Sequence, residues 1–128
     1  MARHVLTLDL RDDPEAVAEY RRQHAEAWPE VVSSLRAAGV REMDIYLLGR
    51  RLVMILDLPD ELDVATVFAR HLASAGPRVA EWERLMKSLQ QRAPDAPDRE
   101  WWAPMEPVFR LSAHPDRVRP VADTVESL

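Results

Sequence analysis

The run Arg51-Leu52-Val53-Met54-Ile55-Leu56-Asp57-Leu58 constrains this chain more than any other stretch. Successive side chains of a strand point to opposite faces, so a strand that is apolar nearly throughout needs cover on both sides. Just before it, Glu42-Met43-Asp44-Ile45-Tyr46-Leu47-Leu48 is a second β-rich run, and Gly49-Arg50 lies between the two. Two such runs around a short turn form a hairpin, with the second strand central in its sheet. The length of 128 residues leaves room for one hydrophobic core. Two cores would each be too small to offset the chain entropy.

The flanking elements follow from punctuation and period. Arg3 to Asp9 is a short mixed run that reads as a strand. Asp12-Asp13-Pro14-Glu15 sets an acidic cap before a first-turn proline. Ala16, Val17, Tyr20, Trp28, Val31, Val32 and Leu35 then recur at helical spacing as far as Gly39, which can end a helix. Pro29 removes a donor and disfavours helix at Trp28, so two helices are expected, 14–26 and 29–38, with a kink between them. After Pro59-Asp60, helical patterns run over 63–74 and over 79–92, the latter carrying Trp82, Leu85, Met86 and Leu89 on one side. Pro94 and Pro97 mark a loop, Met105 to Leu111 is expected as the last strand, and the polar Ser112 to Leu128 as a surface arm or loose tail. The domain is therefore expected over 1–111, with the arm over 112–128.

Strand, helix, strand, strand, helix, strand is the order of the split βαβ, ferredoxin-like α+β sandwich. Helices cover one face of such a sheet. The other face needs a second copy of the sheet or a ligand cavity to close around, and a homodimer forming a dimeric α+β barrel is the expected solution.

Composition narrows the partners. A net charge of −5, with Arg21-Arg22 and Arg50-Arg51 lying beside acids, works against binding phosphate backbones, so nucleic acid is not an expected partner. The chain has no cysteine, which removes disulfides, thiolate metal sites and a Cys nucleophile, and fits a reducing compartment. No apolar run approaches the roughly 20 residues of a membrane span, and the N-terminus lacks a secretory pattern, so a cytoplasmic protein without a membrane partner is expected. The histidines His4, His24, His71 and His114 lack metal-site spacing, and Gly39, Gly49 and Gly76 fall at turns or helix ends rather than in a phosphate loop. Neither a metal nor a cofactor is expected.

Chemistry concentrates between Glu19 and Glu30. Tyr20 and His24 are four apart, so a helix brings phenol and imidazole to one face. Imidazole suits proton transfer near neutral pH in either direction. From spacing alone, a partly buried histidine hydrogen-bonded to Tyr20 is the commoner reading. Trp28, Trp82, Trp101 and Trp102 are the other notable group: each offers a flat apolar face with one N–H, which suits the C–H face of a sugar and equally suits core packing.

The chain resembles the L-rhamnose mutarotase family in the pattern Tyr20-x-x-x-His24-x-x-x-Trp28-Pro29-Glu30. The likeness continues through Leu35 and Gly39, the Ile45-Tyr46-Leu47 strand, Trp82 and Met86, and a closing Val108-Phe109-x-Leu111, and so covers about residues 1 to 111. It implies a homodimeric ferredoxin-like enzyme that interconverts the α and β anomers of a 6-deoxy-L-sugar without cofactor or metal. It further implies that His24 is the proton donor and that Tyr20 and Trp82 contact the sugar. Two positions depart from the family pattern: a substrate-contacting tyrosine is replaced by Met43, and the second of two adjacent tryptophans by Glu83. These changes open the choice of sugar to L-fucose as well as L-rhamnose, with Trp101 and Trp102 able to compensate for lost aromatic surface. Glu83, Asp44 and Tyr46 are candidates for the second acid/base role. A non-enzymatic binding module and a cofactor-free monooxygenase of the dimeric α+β barrel type are the competing readings, because this fold hosts many functions.

Overall fold

The caps and breaks read from the first sixty residues have physical counterparts in the computed structural model, which describes residues 1–73 and 76–117. The elements are β1 (Ala2–Leu10), α1 (Pro14–Ala25), α2 (Pro29–Ala38), β2 (Glu42–Leu48), β3 (Arg51–Leu58), α3 (Val64–Ala73), α4 (Pro77–Leu89), β4 (Gln90–Gln91) and β5 (Ala103–Met105). Asp13 caps α1, its Oδ1 accepting from the Glu15 N–H at 3.0 Å, with Pro14 in the first turn. Trp28 adopts an extended backbone ahead of Pro29, which separates α1 from α2. Gly39 ends α2 at φ +116, and a Cβ there would come within 2.6 Å of Leu62 Cδ1.

The strands lie in the order β2-β3-β1-β4, with every pair antiparallel, which is the ferredoxin-like arrangement. β3 is central, as its composition demands. Leu6, Leu8 and Leu10 of β1 and Leu52, Met54, Leu56 and Leu58 of β3 are buried on the face that the helices cover. The alternate residues Val5, Val53 and Ile55 are only half-buried, while Tyr46 is 60% and Leu48 83% exposed. A single chain therefore supplies one of the two covers that β3 calls for.

The fourth strand departs from expectation. Gln91 pairs with Asp9 and Ala103 with Thr7, so the eleven residues 92–102 stand opposite one residue of β1, Leu8. The helical pattern stops at Leu89 rather than Arg92, and Gln90–Gln91 joins the sheet. The strand expected over Met105 to Leu111 is instead Ala103–Met105. Pro107, which has no N–H to give a ladder, comes two residues after its end. Val108 is 96% exposed, and Leu111–Ala113 forms a 3₁₀ turn. Of the expected tail, residues 112–117 are exposed and irregular beyond that turn, and 118–128 lie outside the described residues.

Candidate active site

Between the helices and the covered face of the sheet lies a hollow of about 840 Å³. Leu6, Met43, Ile45 and Met54 form its floor, and side chains from all four helices line its walls. The 92–102 excursion closes one side with Arg99, Glu100, Trp101 and Trp102. Arg92 holds this excursion in place: its Nε donates to the Glu100 carbonyl at 2.7 Å, and one Nη donates to those of Ala96 and Pro97 at 2.8 and 3.0 Å. The Ala93 N–H donates to the Trp101 carbonyl at 2.9 Å and seals the base of the loop.

At the α1/α4 end, the spacing of Tyr20 and His24 does what a helix predicts. Their rings stack with centroids 4.0 Å apart. Trp82 meets the His24 ring edge-on at 5.1 Å, Trp28 meets Trp82 in the same way, and the Arg78 guanidinium lies 3.7 Å over Trp28. His24 Nδ1 lies 2.8 Å from the Tyr20 carbonyl oxygen, which can only accept, so Nδ1 carries the proton and Nε2 keeps a lone pair. Burial lowers the imidazole pKa, with the hydrogen bond to the Tyr20 carbonyl opposing in part, so the resting ring is neutral near pH 7. Tyr20 is buried, which raises its pKa against a hydrogen bond with Gln90, and the phenol stays protonated.

Glu83 follows Trp82 on α4 and lines the same hollow. Burial raises its carboxyl pKa above the usual range, and Lys87, 3.9 Å away, pulls the other way. The Lys87 ammonium also sits 5.5 Å over the Trp101 ring. At the opposite end, buried His71 hydrogen-bonds through Nδ1 to Ser34 Oγ at 2.8 Å, and Ser34 Oγ donates to the His71 carbonyl at 3.2 Å. Burial also lowers the His71 pKa.

The hollow thus brings together Tyr20, His24, Trp82, Met43, Glu83 and Trp102. Tyr46 and Asp44 also border it. Alternation nevertheless pairs them with Val53 and Ile55 and turns both side chains toward the uncovered face. Lys87, Gln90, His71 and Ser34 were not singled out as site residues from sequence. Gln90 and Lys87 carry the helical spacing of Met86 and Glu83, a signal that was there to be used. The Ser34–His71 pair spans 37 positions and has no local signal. Among the described residues no three His, Asp or Glu side chains gather closely enough to hold a metal ion.

Comparison with known proteins agrees with this geometry. The family model described as L-rhamnose mutarotase matches residues 3–111. An L-fucose mutarotase of Xanthomonas campestris pv. campestris is 40% identical over 114 residues, covering 88% of this chain and 90% of that protein. An L-rhamnose mutarotase of Acidiphilium cryptum is 34% identical over 104 residues, covering 77% and 89% respectively. Among solved structures, an L-rhamnose mutarotase from Formosa agariphila superposes with a TM-score of 0.60 at 22% identity, covering 87% of this chain and 99% of that one, and so shares its fold. With its sheet order, its aromatic-walled hollow and relatives matched over most of their length, the chain belongs to the L-rhamnose mutarotase family of isomerases.

Proposed function

We propose that this protein exchanges the α and β anomers of a 6-deoxy-L-hexose, with L-fucose the leading substrate and L-rhamnose the next, and that His24 moves the proton. One observation carries the reading: His24 commits Nδ1 to its own helix and presents a neutral imidazole in an aromatic-walled hollow. Opening a pyranose requires removal of the anomeric hydroxyl proton and protonation of the ring oxygen, and both steps reverse on closure. Nε2 takes the first proton; the donor role implied by the family resemblance then falls to the same ring as imidazolium, on closure. Trp82 and Trp102 offer flat faces to the sugar, and Tyr20 fixes the imidazole plane. The preference for L-fucose rests on the 40% identical relative and on Glu83, a polar side chain where the family pattern has tryptophan.

NMR saturation transfer between anomeric protons tests this directly across L-fucose, L-rhamnose and their stereoisomers. Enzyme-dependent transfer for a 6-deoxy-L-sugar is the expected result. Binding without transfer would favour a binding module, and oxygen uptake with a polyphenol would favour a monooxygenase.

The working unit is a homodimer formed through the uncovered sheet face. Val5, Val53, Ile55, Tyr46 and Met105 supply an apolar centre, with the Arg3–Asp57 pair at one end and the Arg51–Asp9 pair at the other. A second copy laid face to face supplies the cover that β3 lacks. Light scattering of wild type and Ile55→Asp should give a dimer and a monomer respectively; a monomeric wild type contradicts it. The absence of cysteine suits work in the cytoplasm.

A further inference from the structure

We infer that Glu83 is the second proton-transfer group, giving a proton to the ring oxygen of the bound sugar while His24 Nε2 takes the anomeric proton. The inference rests on the mutarotase reading and names the partner that the chemistry requires. A single imidazole cannot take the O1 proton and give one to O5 in the same step, so a second group must reach the ring oxygen of the hemiacetal.

Geometry selects among the acids. Asp44 and Tyr46 face the uncovered side of the sheet, beside Arg3. His71 is tied to Ser34 at the other end of the hollow. Glu83 adjoins the tryptophan that contacts His24, and its carboxylate is only 35% exposed. Lys87 holds it from one turn further along α4 and itself rests over Trp101. Carboxyl, ammonium and indole thus form a polar wall on the same cavity as the imidazole. Burial favours the protonated carboxyl, which is the form that can donate.

The step balances. Nε2 takes the O1 proton, C1–O1 becomes the carbonyl, the C1–O5 bond breaks, and its electron pair on O5 receives the Glu83 proton. After rotation about C1–C2, the Glu83 carboxylate takes that proton back as O5 attacks the other face of C1. The imidazolium returns its proton to O1. No oxidant or co-reactant enters.

The test is the pH dependence of L-fucose exchange for wild type, Glu83→Gln and Lys87→Met. Lys87, 3.9 Å away on α4, is the charged group against the Glu83 carboxyl, and Tyr20 and His24 of α1 and Arg99 and Glu100 of the excursion line the same hollow. Wild type should show a bell, because the pair must hold one proton between its two members. Glu83→Gln should lower kcat about 10²-fold with KM within about threefold, and should lose the alkaline limb while keeping the acid one. Lys87→Met should move the alkaline limb to higher pH, which a purely structural role for Glu83 would not produce. A Glu83→Gln enzyme with wild-type kcat, or one that keeps both limbs, overturns the inference. A wild type without exchange overturns the mutarotase reading itself, so the two failures are distinguishable.

Discussion

The hollow carries an imidazole at each end, and burial lowers the pKa of both, yet their surroundings differ. His24 is bonded to the backbone of its own helix, stacked by Tyr20, edged by Trp82, and shares its end with Glu83 and Lys87. His71 is bonded to a side chain of another helix, Ser34 of α2, among Val64, Phe68 and Leu72. In the first environment the ring is positioned by its Nδ1 bond and its stacking, and its second nitrogen is the one assigned proton transfer in the proposed reaction. In the second, two polar groups satisfy each other and fasten α2 to α3. The type of residue and the depth of burial therefore do not assign a role; the partner of Nδ1 and the titratable neighbours do.

The contrast can be broken in several places. Trp82→Ala should have the largest effect, lowering exchange about 10²-fold through loss of the wall beside His24 and costing about 3–5 kcal/mol in urea unfolding. Ser34→Ala should cost about 1–3 kcal/mol, because His71 Nδ1 is left unpaired, while exchange stays within about twofold of wild type. If exchange falls with Ser34→Ala, the two ends are not separate. Both histidines bind protons more readily unfolded than folded, so their contribution is complete above about pH 6.5 and declines as the pH falls toward their lowered folded values. Glu83, raised in the folded state, has the opposite slope from about 4.5 upward and offsets part of this. Denaturant midpoints should therefore fall between pH 7 and 5, and less steeply in His71→Phe. Arg92→Ala should have the smallest effect, raising KM about threefold with kcat unchanged as the excursion loosens.

Much of the His24 end was legible in the sequence because it is local. Asp13-Pro14, Trp28-Pro29 and Gly39 set the bounds of two helices, and the four-residue spacing of Tyr20 and His24 survives folding intact. The hairpin bounds at 42–48 and 51–58 were readable for the same reason. The turned-away Tyr46 was also readable, since Ile45 and Tyr46 must face opposite sides of a strand. The broken fourth strand was not. Its closing residues Val108 to Leu111 have strand composition, but Pro107 stops the ladder, and the excursion before it is shaped by one arginine reaching backbone carbonyls, which leaves no period to read. The His71 end was hidden because Ser34 and His71 meet only after the helices pack.

The most direct test compares exchange of the preferred sugar by His24→Ala and His71→Ala, each checked for folding by circular dichroism. His24→Ala should lose about 10²-fold or more of the enzyme-dependent rate, and His71→Ala should retain it to within about threefold at a temperature where it is folded. Wild-type exchange in His24→Ala would contradict the assignment of proton transfer to the α1/α4 end.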